Sequence, residues 1–143
     1  MISLYVLDTD TLTLAERGHP DVCRRIQSVA PPHLAITVIS IEEQLTGWYT
    51  LLRKTKDRAK LARVYQRLAE NVAYLGRWSI LPFTEAAIDR SARLRALKLN
   101  IGKMDLAIAA IVLEHGGVLV TRNTRDFRRV PGLAMEDWSS PIP

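Results

Sequence analysis

Apolar residues fill positions 2–7 almost without interruption in MISLYVLDTDTL, and two acids, Asp8 and Asp10, follow at alternate positions. A short apolar run rich in β-branched and aromatic residues predicts a strand covered on both faces, as in a parallel sheet. Asp8 then stands at the carboxyl end of the strand from Ile2 to Leu7. A short helix is expected from near Thr11 in TLTLAERG, stopped at Gly18, with Asp8 or Asp10 as its cap. HPDVCRRIQSVA predicts a second helix with Pro20 at its start, and PPHLAIT breaks and re-enters an extended segment.

From Val38 to about Thr55 the apolar residues Ile41, Leu45, Trp48 and Leu52 recur at helical spacing, with Ser40 as a candidate cap. A long helix is expected from Arg58 to Leu75, its stripe made of Leu61, Val64, Leu68, Val72 and Leu75. WSILPF predicts a short strand ended by Pro82, and Thr84 and Glu85 open a helix running to Leu97. After NIGK, the stretch MDLAIAAIVLEHGG is apolar almost all round, which predicts a helix buried on most sides and ended at Gly116. VLVT is a short apolar strand, NTRDF a turn or single helical turn, and VPGLAMEDW a last extended piece before a Ser/Pro tail. Strands alternating with helices predict a three-layer α/β/α sandwich around a mostly parallel sheet.

Length and composition then narrow the class. A chain of 143 residues that is 48% hydrophobic and 24% charged suits one globular domain, here residues 1–143. No stretch approaches the ~18 consecutive apolar residues of a membrane span, and the N-terminus lacks a secretory layout, so a cytoplasmic protein without membrane partner is expected. Cys23 is the only cysteine, and His19, His33 and His115 are scattered singly, which argues against a disulfide or a zinc site.

The formal charge of +5 favours an anionic partner. Its distribution is uneven: Arg53, Lys54, Lys56, Arg58, Lys60, Arg63 and Arg67 form one cluster, and Arg122, Arg125, Arg128 and Arg129 another. The bland alternative for the first cluster is a solvated helix face.

The predicted layout brings acids together. Asp8 ends the first strand, Glu42 and Glu43 lie in the first turns of the helix after the second, Asp105 opens the buried helix, and Asn123 and Asp126 follow VLVT. In a parallel sheet all of these share one edge, where a crevice forms. Several carboxylates around one hollow are hard oxygen ligands suited to Mg²⁺ or Mn²⁺. Taken singly, each acid near a helix start is equally explained as a cap or a partner of the helix dipole.

Across nearly its whole length the chain resembles a PIN domain of the VapC type, the toxin ribonucleases of toxin–antitoxin pairs. The resemblance rests on YVLDTDTL, AITVISIEEQLTGW and IGKMDLAIAAIVLEHGGVLVTRNTRDFRRVPGL. It implies that Asp8, Glu43 and Asp105 are metal-binding acids, Glu43 rather than Glu42 because the family's acid stands four residues before the glycine, here Gly47. The family's fourth acid falls at Asn123, with Asp126 three residues on as a substitute. Asp10 and Thr121 are then expected to support the site, and Arg122 and Arg125 to grip RNA backbone.

The activity so implied is Mg²⁺- or Mn²⁺-dependent hydrolysis of RNA phosphodiesters, leaving a 5′-phosphate and a 3′-hydroxyl. The resemblance also implies a VapB-like antitoxin lying across the acidic crevice, and a homodimer, for which the apolar helix stripes at 38–75 offer surface. Two alternatives stand beside it. LDTDTL also fits the D-x-D-x-T opening of haloacid-dehalogenase-type phosphatases, with Asp8 as nucleophile and Asp10 as acid/base, although the later paired acids of that family are missing. The other is a catalytically idle module that holds RNA on its basic surface.

Overall fold

The computed structural model describes residues 3–141. Five strands, β1 (Tyr5–Leu7), β2 (Leu34–Thr37), β3 (Ile80–Leu81), β4 (Val118–Val120) and β5 (Ala134–Glu136), form one sheet in the order β3-β2-β1-β4-β5. Every pairing is parallel; Val6 lies between Ala35 and Leu119 in register. Parallel strands need crossover connections, and helices supply them. They are α1 (Thr9–Glu16), α2 (Pro20–Gln27), α3 (Val38–Lys54), α4 (Arg58–Leu75), α5 (Glu85–Ala96), α6 (Lys103–Glu114) and the single turn α7 (Thr124–Phe127).

Side chains alternate across this sheet with the period of two that a pleat imposes. Val6, Ala35 and Leu119 enter one core with Leu94 of α5 and Leu106–Val112 of α6. Leu7, Leu34, Ile36 and Val120 enter the other with Leu12 and Ala15 of α1, Val22 of α2, Leu75 of α4 and Trp138. Two packed layers around one sheet are therefore the expected α/β/α sandwich. The nearly continuous apolar run in α6 is explained by its burial: every residue from Leu106 to Val112 is buried.

Element ends follow local chemistry. Ile2, placed in the first strand by the sequence pattern, lies outside the described residues, and β1 begins at Tyr5. Asp8 is the cap of α1, its side chain accepting from Thr11 N. Ser40 is not the cap of α3; Thr37 is, accepting from Ser40 N, because the helix starts at Val38 and the cap must precede it. The stripe of α4 departs from expectation at one place. Val64 and Leu75 are buried, but Val72 is 51% exposed and Asn71 is buried beside it.

The order of strands places a switch point between β1 and β4: from β1 the chain proceeds through β2 to β3 on one side, then crosses to β4 on the other. Open α/β sheets form their crevice at the carboxyl ends of such strands. Gly117 sets the spacing here, since a Cβ on it would lie 2.9 Å from the Leu4 carbonyl oxygen. Among the described residues no helix is long and apolar enough to cross a membrane.

Candidate active site

At that switch point a crevice of about 590 Å³ is lined by Asp8, Thr9, Asp10, Glu43, Asp105, Arg122, Asn123 and Phe127. Asp8 just after β1 and residues of α1, α3, α6, the β4–α7 turn and α7 thus meet across 119 positions of sequence at the sheet edge the strand pattern marked out.

Asp8 is the fixed point. Its backbone N–H donates to Val120 O at 3.0 Å, carrying the β1–β4 ladder one residue beyond the strand, and its side chain is 93% withdrawn from solvent. Burial pushes the Asp8 carboxyl above its ordinary value; the Thr121 hydroxyl and Thr11 offset part of this, and the charge of Asp10 adds to it. Thr121 is fully buried and accepts from Asn123 N at 2.9 Å, so it shapes the turn that points Asn123 into the crevice.

Glu43 projects from the second turn of α3 into the crevice, whereas Glu42 is exposed and does not line it. The Thr9 hydroxyl donates to Glu43 Oε1 at 2.6 Å and lies 2.9 Å from the Ser40 hydroxyl. Asp105 stands in the first turn of α6, where Gly102 and not Asp105 is the cap. Its carboxyl is raised by burial first, then by the negative charges of Glu43, Asp8 and Asp126. Asp105 thus feels acids from three other segments, a repulsion with no purely structural use.

The fourth position divides between two residues. Asn123 lines the crevice; Asp126 sits behind it, accepting from Asn123 Nδ2 at 3.1 Å and from Arg129 at 3.0 Å. Asp126 thus reaches the site through its charge and through Asn123. Asp10 is engaged bidentately by Arg122, at 2.7 and 3.1 Å, at the exposed mouth. Arg125 is exposed and outside the crevice lining.

Asp8, Glu43 and Asp105 line one crevice without forming a ready-made cluster of three ligands among the described residues, and Glu43 is held by Thr9. The donor set nevertheless suits a hard divalent cation: oxygen only, several negative charges, and no basic side chain at hydrogen-bond distance from Asp8, Glu43 or Asp105 among the described residues. Mg²⁺ keeps several waters and takes one or two carboxylates directly, so it does not need three preassembled ligands.

Sequence reasoning missed Thr9, Ser40 and Phe127. Thr9 lay between the two acids that drew attention, and only the approach of α3 shows that its hydroxyl holds Glu43.

The PIN domain family model matches residues 5–133, and the chain belongs to the PIN-domain family. It is 28% identical to Ribonuclease VapC2 of Rickettsia felis over 94% of this chain and 98% of the relative. It is also 28% identical to the tRNA(fMet)-specific endonuclease VapC of Salmonella typhimurium, over 94% and 97%. Among solved structures, DNA-bound VapBC from Salmonella typhimurium superposes with a TM-score of 0.76 at 26% identity, over 95% of this chain and 98% of that one. VapBC2 from Rickettsia felis, bound to a promoter DNA fragment, gives 0.69 at 26%, over 94% and 98%. The phosphatase alternative is thereby overturned, and the geometry agrees: the Asp10 carboxylate needed as its acid/base is spanned by Arg122.

Proposed function

We propose that this chain is a divalent-metal-dependent endoribonuclease, the toxin of a VapBC-type toxin–antitoxin pair, acting in the cytoplasm. The observation that carries the reading is the convergence of Asp8, Glu43 and Asp105 on one crevice, charges that raise the Asp105 carboxyl and meet no basic partner among the described residues.

Asp8, Glu43 and Asp105 would hold Mg²⁺ or Mn²⁺. A bound ion of this kind acidifies a water and offsets negative charge on a phosphate. The residues supply the rest. Asp8, tied to β4 through its backbone, gives a fixed anchor; Asp105, on the helix packed deepest in the core, gives a second. Glu43 is oriented by Thr9. Asn123 offers an amide toward the phosphate, positioned by Thr121 and Asp126, and Arg122 stands at the mouth to meet the neighbouring backbone. Water attack in line with the 3′-oxygen then breaks the P–O3′ bond and leaves a 5′-phosphate and a 3′-hydroxyl. The antitoxin and a second copy of the chain are the expected protein partners; the solved relatives are toxin–antitoxin complexes.

The test is RNA cleavage in Mg²⁺, in EDTA and by Asp105→Asn. Cleavage abolished by EDTA and by the substitution supports the reading. Full cleavage by the substituted protein rejects the site, and no cleavage by the wild-type protein under any divalent ion leaves an idle RNA-binding module as the better description.

A further inference from the structure

We propose that the tip of the α3–α4 hairpin is a second RNA-binding site, a basic arm that grips the ribose-phosphate backbone at a distance from the cut. The inference rests on the ribonuclease reading for the identity of the polyanion.

The larger of the two basic clusters carries the protein's excess of positive charge. Residues 53–67 hold seven basic side chains and one acid, Asp57; elsewhere the chain has thirteen basic and fourteen acidic residues, so the arm alone makes the protein cationic. Arg53, Lys54, Lys56, Arg58, Lys60, Arg63 and Arg67 are all exposed. Among the described residues none of them forms a salt bridge.

A merely solvated helix face interleaves acids with bases at three or four residues. Along α4 acids are few: its cap Asp57 and Glu70 stand three residues from a base, at Lys60 and Arg67, while Arg63 and Arg67 repeat the same charge at four. Arg58 and Lys60 also occupy the first turn of α4, which has no acid. The partial positive charge at a helix N-terminus disfavours cations there. Arg53 and Lys54 suit the carboxyl end of α3, but Arg58 and Lys60 stand at the wrong end of α4, beside its Asp57 cap, and so point to an anion brought from outside.

Aromatic side chains set among the charges favour a nucleic acid over an acidic peptide. Tyr49 of α3 is 50% exposed and Tyr65 of α4 is 56% exposed. Tyr65 lies seven residues after Arg58 and hence on the same face of α4. Exposed rings beside basic groups are stacking platforms for unpaired bases.

The arm also connects to the crevice. Glu43, Gly47, Thr50 and Lys54 succeed one another at helical spacing on α3, and Gly47 has open space over its Cα. At 1.5 Å per residue, Lys54 lies about 16 Å along the helix from Glu43. Between them the face carries Gly47 and Thr50, with the exposed Leu51 beside them, a path for a strand running from the crevice to the tip. A substrate must therefore extend well beyond the scissile phosphate to use the arm, which selects longer RNAs over short fragments.

The experiment compares wild type with K54Q/R58Q/K60Q and with R93Q/R95Q/K98Q, which removes the same charge from exposed positions on and just after α5. Expected for the arm variant is a KM on long RNA raised tenfold or more, with kcat, and cleavage of an oligonucleotide confined to the crevice, unchanged. RNA binding measured in EDTA should lose salt dependence, by roughly two in the log–log slope if three contacts are removed. Its Tm should hold or rise; the control variant should match wild type in all RNA readouts. Unchanged RNA binding and KM overturn the proposal, and so does a variant that loses only antitoxin binding. Because binding in EDTA needs no turnover, failure of the ribonuclease reading and failure of the arm are seen separately.

Discussion

The Thr9 hydroxyl donates a 2.6 Å hydrogen bond to the Glu43 carboxylate, joining α1 to α3 across 34 positions of sequence. Glu43 is the one crevice acid on an otherwise half-exposed helix, and this bond fixes its direction. Thr9→Ala should lower divalent-ion affinity or kcat by roughly 10–100-fold, the usual cost of losing a partner that orients a ligand. Thr9→Ser should restore most of it. Metal titration and single-turnover cleavage of the two variants check this.

The acidic crevice opposes folding when no cation is present. Asp8 and Asp105 both have carboxyls raised above the ordinary 3.8. The folded state then holds protons more tightly than the unfolded state. Their contribution to stability is full below pH 3.8 and is lost as pH rises through the raised values. In EDTA, Asp105→Asn should therefore raise Tm near neutral pH, by on the order of a few degrees. Added Mg²⁺ should stabilise wild type more than the variant. A wild-type Tm equal to that of the variant in EDTA at pH 7 contradicts the electrostatic description.

Asn71 holds the base of the hairpin. Its Oδ1 accepts from Trp48 Nε1 at 2.9 Å, and its Nδ2 donates to Glu16 at 2.8 Å and Gln44 at 2.9 Å, so one buried amide joins α1, α3 and α4. Asn71→Leu keeps the branched outline of the side chain but is bulkier and leaves Trp48 Nε1 and Gln44 without their partner, while Glu16 is exposed to water; a loss of about 2–4 kcal/mol is expected in urea unfolding. Asp10 and Arg122 are each about half exposed, and their ion pair, screened by solvent, should show little or no coupling in a double-mutant cycle.

These residues also show what the sequence could and could not disclose. The elements and their order were readable because the strands are short unbroken apolar runs, α3 and α4 repeat apolar residues at helical spacing, and the long apolar run of α6 exceeds the length of a strand. That Asp8, Asp105 and an acid of α3 would line one crevice was readable because a parallel sheet sends every strand end to one edge, whereas the choice of Glu43 over Glu42 came from the family resemblance. Asn71 was not, since apolar spacing favoured Val72, and only the meeting of Trp48, Glu16 and Gln44 makes an amide acceptable in that buried place. The cap of α3 was misplaced for a similar reason, as both Thr37 and Ser40 suit the role and the helix start decides. Thr9 and the pairing of Asp10 with Arg122, 112 positions apart, depend on tertiary approach alone. Local pattern cannot contain them.

Calorimetric titration of Mn²⁺ and Mg²⁺ into the wild-type chain and into Asp105→Asn tests the central claim most directly. Saturable binding by the wild type, weakened at least tenfold by the substitution, is the expected result. Absence of binding to wild type, or equal affinity in both proteins, would show that the crevice acids are not a metal site.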